Sequence, residues 1–116
     1  MCVQDSMKKF TFKELCILAK FHLDHYRKSQ TIEKLQEFGL MVKETTDKNL
    51  ENAYCFTIDC ALEYLTIEEK RILQADYIDH LEKNWWMDYY SRTSYYRIKE
   101  AALRHFINCL HFEIMV

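Results

Sequence analysis

Residues 91–99 read Ser-Arg-Thr-Ser-Tyr-Tyr-Arg-Ile-Lys, a run rich in groups that bind anions. Ser91 is a helix N-cap type, so a helix opens at Arg92. Its apolar stripe is Tyr95, Ile98, Ala102, Phe106 and Cys109/Leu110. Arg92, Thr93, Tyr96, Arg97, Glu100 and Arg104 fall off that stripe, with Lys99 near its edge. An arginine can fork onto guanine or clamp a phosphate. Ser91, Thr93 and Ser94 offer hydroxyls, and the helix start offers free N–H groups to an anion. Arginine suits a helix start poorly, because the dipole prefers negative charge there. An external phosphate would relieve that misfit. Arg92, Thr93, Ser94, Tyr96, Arg97 and Lys99 are therefore the candidate duplex-DNA contacts. Tyr96 has packing as its other reading, and Lys99 and Arg104 have a solvated surface.

Other chemistry has less behind it. His22 and His25 lie three residues apart, and Cys109 and His111 two apart. Neither pair brings the third or fourth ligand that zinc takes, so no metal site is expected. Five cysteines without a C-x-x-C spacing read as reduced thiols of a cytoplasmic protein. Glu68 and Glu69 are first-turn helix acids, and Asp76 and Asp79 read as solvated helix charges. No catalytic constellation or cofactor motif emerges, and the expectation is a non-enzyme. Trp85 and Trp86 cannot both point inward from a helix, since neighbours lie about 100° apart. One belongs to the core. The other, with Tyr89 and Tyr90, forms a candidate partner surface.

The chain has 116 residues with 49% hydrophobic and 29% charged, enough for one core. One glycine and no proline exclude glycine-rich phosphate loops, and tight hairpins would be hard to build. Formal net charge is −2, but it is unevenly spread. Residues 1–43 hold eight basic and five acidic residues, 44–90 four and eleven, and 91–112 four and one. No apolar run reaches membrane-spanning length, and no targeting segment is expected.

Capping boxes at Thr11–Glu14 and Thr66–Glu69 mark two helix starts. The pattern predicts helices over 12–28, 31–38, 48–64 and 67–80, a short one within 81–90, and the last from 92 to 112. Gly39 fits a C-cap and Asp47 an N-cap; residues 43–48 read as a linker. Leu40-Met41-Val42 stays ambiguous, and the apolar tail 112–116 either docks or frays. Leu15, Leu18/Ala19, His22 and Tyr26 mark the inner face of the first helix. Leu50, Tyr54, Thr57/Ile58, Ala61 and Leu65 mark that of the third. The expected fold is all-α with five or six helices. Residues 1–46 are expected to form an N-terminal helical subdomain or extension, and 47–116 a helix-turn-helix domain packed with it as one unit.

The segment YSRTSYYRIKEAALRHF, residues 90–106, resembles the recognition helix of region 4 of bacterial sigma-70-type factors. It is similar also to small phage late-gene transcription regulators of the ArpU type. LTIEEKRIL, residues 65–73, with Tyr77-Ile78, resembles the supporting helix of that family. The likeness spans about 60–112. It implies a helix-turn-helix domain that binds DNA in transcription, with contacts at Arg92, Thr93, Ser94, Tyr96 and Arg97. It also implies packing by Tyr95, Ile98, Ala102 and Leu103. Residues 84–88, Asn-Trp-Trp-Met-Asp, are bulkier than the family pattern, and the first half matches no sigma region. The expected function is sequence-specific duplex-DNA binding, with RNA polymerase or a second copy as further partners. The competing expectation is a non-catalytic helical interaction protein.

Overall fold

The computed structural model describes residues 10–39 and 48–115; side chains are described at 10–39 and 50–110. The described residues form four α-helices and no strand. Helix α1 is Phe12–Glu37, α2 Lys48–Tyr64, α3 Ile67–Leu73 and α4 Arg92–Met115. A π turn, Gln74–Ile78, extends α3, and one 3-10 turn, Trp85–Asp88, lies between it and α4.

Both capping boxes form. The Thr11 Oγ1 accepts the Glu14 N–H at 3.1 Å, and the Thr66 N–H donates to Glu69 Oε1 at 3.2 Å. Gly39 takes φ +82°, a conformation that an L side chain strains, and its N–H closes the end of α1 on the Gln36 carbonyl.

The helix count is lower than expected, for identifiable reasons. Residues 12–28 and 31–38 are one helix, because nothing between Lys28 and Thr31 breaks it. The Thr31 hydroxyl donates back to the Arg27 carbonyl at 3.0 Å, and Ser29 turns its hydroxyl to Glu51 of α2. The short helix expected within 81–90 is only the 3-10 turn. Its aromatics pack on side chains of α3 and α4, Trp85 and Trp86 on Tyr95 and Trp85 and Tyr89 on Arg71, rather than forming one helical face. The expected cap at Asp47, residues 43–47 of the linker, Leu40-Met41-Val42 and the side chains of His111 and the tail lie outside the described residues, while Lys48 opens α2.

All four helices share one core. Leu15, Ala19, Leu23 and Tyr26 of α1 meet Ile58, Ala61 and Leu62 of α2, Leu73 and Tyr77 of the α3 segment, and Phe106 and Ile107 of α4. On α1 the innermost residues include Leu23, while His22 sits at the boundary and hydrogen-bonds Tyr54 at 2.7 Å. Leu50, expected inside, is exposed. A smaller cluster of Ile72, Trp86 and Tyr95 seats the start of α4 on α3.

Phe106 is fully buried, whereas Phe56 is 68% exposed. Phe106→Ala should cost about 3–5 kcal/mol in a denaturant melt, through reduced burial and the cavity left behind. Phe56→Ala should stay within about 0.5 kcal/mol of the parent.

Candidate nucleic-acid interface

The start of α4 is capped as its sequence demands. The Ser91 Oγ accepts the Ser94 N–H at 3.1 Å, and the Ser91 carbonyl accepts the Tyr95 N–H at 2.9 Å. Tyr95 then points inward. Its ring stacks on Trp86 with centroids 4.5 Å apart and planes 11° off parallel. This stacking turns the other side of the first two turns outward.

Arg92, Thr93 and Arg97 flank that packed ring. Arg92 and Thr93 are exposed, as is Tyr96, and Ser94 is half-buried beside the cap. Thr93 and Arg97 stand one turn apart on one face, as do Arg92 and Tyr96. The Arg92 guanidinium lies 5.9 Å from the Tyr96 ring centroid. Tyr96 packs its edges against Phe12 and Trp86 but keeps 42% of its surface open. Among the described residues, neither Arg92 nor Arg97 has a carboxylate partner. Glu100, the acid on the next turn, is taken by Arg104 at 2.9 Å, and Arg104 also donates to the Phe10 carbonyl.

Lys99 faces the other way. Its Nζ lies 3.0 Å from Asp76 Oδ2, both side chains being only 14% exposed. The ammonium also sits over the rings of Tyr77 and Tyr95, at 5.3 and 5.5 Å. Asp76 gathers three elements. The Trp85 Nε1–H donates to its Oδ1 at 2.7 Å, and the Tyr95 hydroxyl donates to its Oδ2. Asp76 is thus the centre of a half-buried polar network, not a solvated helix charge. A signal for it lay in the sequence. A buried tryptophan N–H and a buried tyrosine O–H each need an acceptor, and Asp76 lies on the preceding helix.

Trp86 is buried and Trp85 half-buried, so one of the pair is core although they stand on a 3-10 turn and not the expected helix; Tyr90 is half-buried and Tyr89 exposed. Arg71 of α3 lays its guanidinium 4.3 Å from the Tyr89 ring centroid. The histidine pair is engaged elsewhere: His22 with Tyr54, and His25 with Glu51 at 3.0 Å. Among the described residues no three His, Cys, Asp or Glu side chains could hold a metal, and no helix is long and apolar enough to cross a membrane.

Burial pushes the Tyr95 hydroxyl well above its ordinary range, with the Asp76 hydrogen bond and charge adding to it. Tyr77 and Tyr26 are raised likewise, first by burial and then by Cys16 and Asp59 respectively. Burial lifts Tyr54 to about 12. No family model, curated protein or solved structure matches the chain.

Asp76→Ala strands Lys99 against aromatic rings and removes the acceptor for Trp85 and Tyr95. It should cost about 2–3 kcal/mol in a denaturant melt, the pair being only partly dry. Lys99→Met leaves Asp76 two donors and should cost less than half as much. The folded tyrosine values lie above the free value near 10. Their contribution is therefore whole below about pH 10 and drains as pH climbs toward the folded values. An ultraviolet alkaline titration should show Tyr26, Tyr54, Tyr77 and Tyr95 ionising only well above the free value, as the fold is lost.

Proposed function

We propose that this protein binds duplex DNA by laying the opening turns of α4 in the major groove. One observation supports the reading above all. Arg92, Thr93 and Arg97 stand at the head of a capped helix, off its buried stripe, with no carboxylate of the described residues neutralising the arginines. The two guanidinium groups supply the forked donors that guanine edges and phosphates accept. Thr93, Ser94 and the free N–H groups of the first turn lie beside them. Tyr96 offers a hydroxyl on the next turn. Lys99, tied to Asp76, acts by holding α4 at its angle and not by direct contact.

The sigma region 4-like reading stays within this proposal. An α3 segment supports α4 through Ile72, Trp86 and Tyr95, as a supporting helix does under a recognition helix. Between them stands one 3-10 turn in place of a third helix. So few contacts give a weak, salt-sensitive monomer, and specificity at useful concentration calls for a second copy or a second DNA-bound protein. No catalysis enters this reading.

The test is a duplex titration across salt concentrations with the parent and Arg92→Ala/Arg97→Ala. The double variant should bind roughly a hundredfold more weakly. Its log–log salt slope should be shallower by about 1.8, near 0.9 for each of two phosphates no longer neutralised. Its melting temperature should be unchanged, since neither side chain belongs to the core. Equal binding by parent and variant would overturn the proposal.

A further inference from the structure

A groove of about 540 Å³ runs between α3 and the chain from Asp79 to Tyr89. That size suits the reception of a side chain with its neighbours. Its walls are held in place before anything enters. Trp85 is pinned by its N–H to Asp76, and Tyr89 by the guanidinium of Arg71. Leu81 is presented by a backbone device: His80 takes φ 52°, unusual for a non-glycine residue, and the Leu81 N–H is tied to the Ala75 carbonyl at 2.9 Å. Walls that are already ordered lose little freedom on binding.

The lining leaves apolar surface in water. Ile67 is 87% exposed, Tyr89 61% and Leu81 50%. Such a cluster, lying together in a concave site, marks an interaction surface. The charges decide what it would take. Lys70 is spent on Glu63 at 2.8 Å, and the face of Arg71 is spent on the Tyr89 and Trp85 rings. Asp79 and Asp88, which also line the groove, have no side-chain hydrogen bond or ion pair among the described residues. Arg71 keeps its charge while stacked, so with Lys70 paired the lining holds two free carboxylates against one guanidinium, a negative balance beside apolar and aromatic surface.

We propose that this groove docks a basic peptide segment of another protein, one that carries an arginine or lysine next to an aliphatic residue. The cation meets Asp79 and Asp88, and the aliphatic neighbour covers Leu81 and Ile67. A lysine or arginine stem is itself apolar, so it suits the aromatic walls while its head reaches the carboxylates. This docking does not depend on the DNA reading, and its test contains no DNA.

The full chain is titrated with two fluorescent octapeptides with blocked termini, one alternating arginine and leucine, the other glutamate and leucine. The basic peptide should bind, more weakly as salt rises, and should shift the tryptophan emission, because Trp85 lines the groove. The acidic peptide should not bind. Asp79→Asn/Asp88→Asn, at two exposed side chains without partners among the described residues, should weaken binding about tenfold with an unchanged melting temperature. Glu33→Gln/Glu37→Gln, the same charge change on exposed α1 positions, should stay within about twofold of the parent. Equal weakening by both pairs would overturn the proposal, as attraction to net charge alone. Binding of both peptides would overturn it in favour of a purely apolar patch. Displacement of the basic peptide by arginine amide at equal concentration would overturn it in favour of a small-cation site. A dimer in light scattering that dissolves in Asp79→Asn/Asp88→Asn would assign the groove to a second copy and overturn it too.

Discussion

Asp76 is the constraint on which the C-terminal half is built. Its two oxygens accept from the indole of Trp85 and the hydroxyl of Tyr95, and they neutralise Lys99. These groups come from the turn before α4 and from two successive turns of α4 itself. One carboxylate therefore sets both the position of the aromatic loop and the rotation of the long helix. A neutral side chain would satisfy one or two of the three. The ion is tolerated at partial burial because both of its oxygens have donors nearby. That arrangement makes the network a device for orientation more than for raw stability.

The rotation it sets has two faces. Tyr95 and Lys99 turn inward, so Arg92, Thr93 and Arg97 turn away from the core. On the other side of the same loop, the pinned Trp85 becomes a wall of the groove that ends in Asp79 and Asp88. Arg92 and Arg97 of the basic segment and Asp79 and Asp88 of the acidic one thus stand exposed on elements joined through a shared polar network. The even mixture suggested by a net charge of −2 would have hidden both.

Much of this was legible in the residues. Thr11, Thr66 and Ser91 are local signals, and local hydrogen bonds decide helix starts. Gly39 was readable for the same reason. What stayed hidden was tertiary. Leu23 displaces His22 from the inner face of α1 because Tyr54 offers the imidazole a partner at the boundary. The junction near Ser29 looks like a helix end by composition, but its hydroxyl is claimed by Glu51 from another helix. Lys99 read as an exposed cation because nothing in its own stretch of chain reveals Asp76. The region 81–90 has a helix's apolar content, yet its aromatics are claimed by Tyr95 of α4 and by Arg71 and Asp76 of the α3 segment, which nothing local reveals.

The π turn at Gln74–Ile78 constrains length as well as direction. There the Asp79 N–H reaches back five residues to the Gln74 carbonyl, at 2.8 Å, so this turn holds one residue more than an α turn would. Deleting any single residue from it would restore ordinary pairing and swing everything downstream by about 100°. The chain carrying Trp85 would then leave in a direction that takes its indole away from Asp76. Chain length in that turn is as strictly specified as any side chain in the core, and a homologue lacking the extra residue would have to present its last helix from another direction.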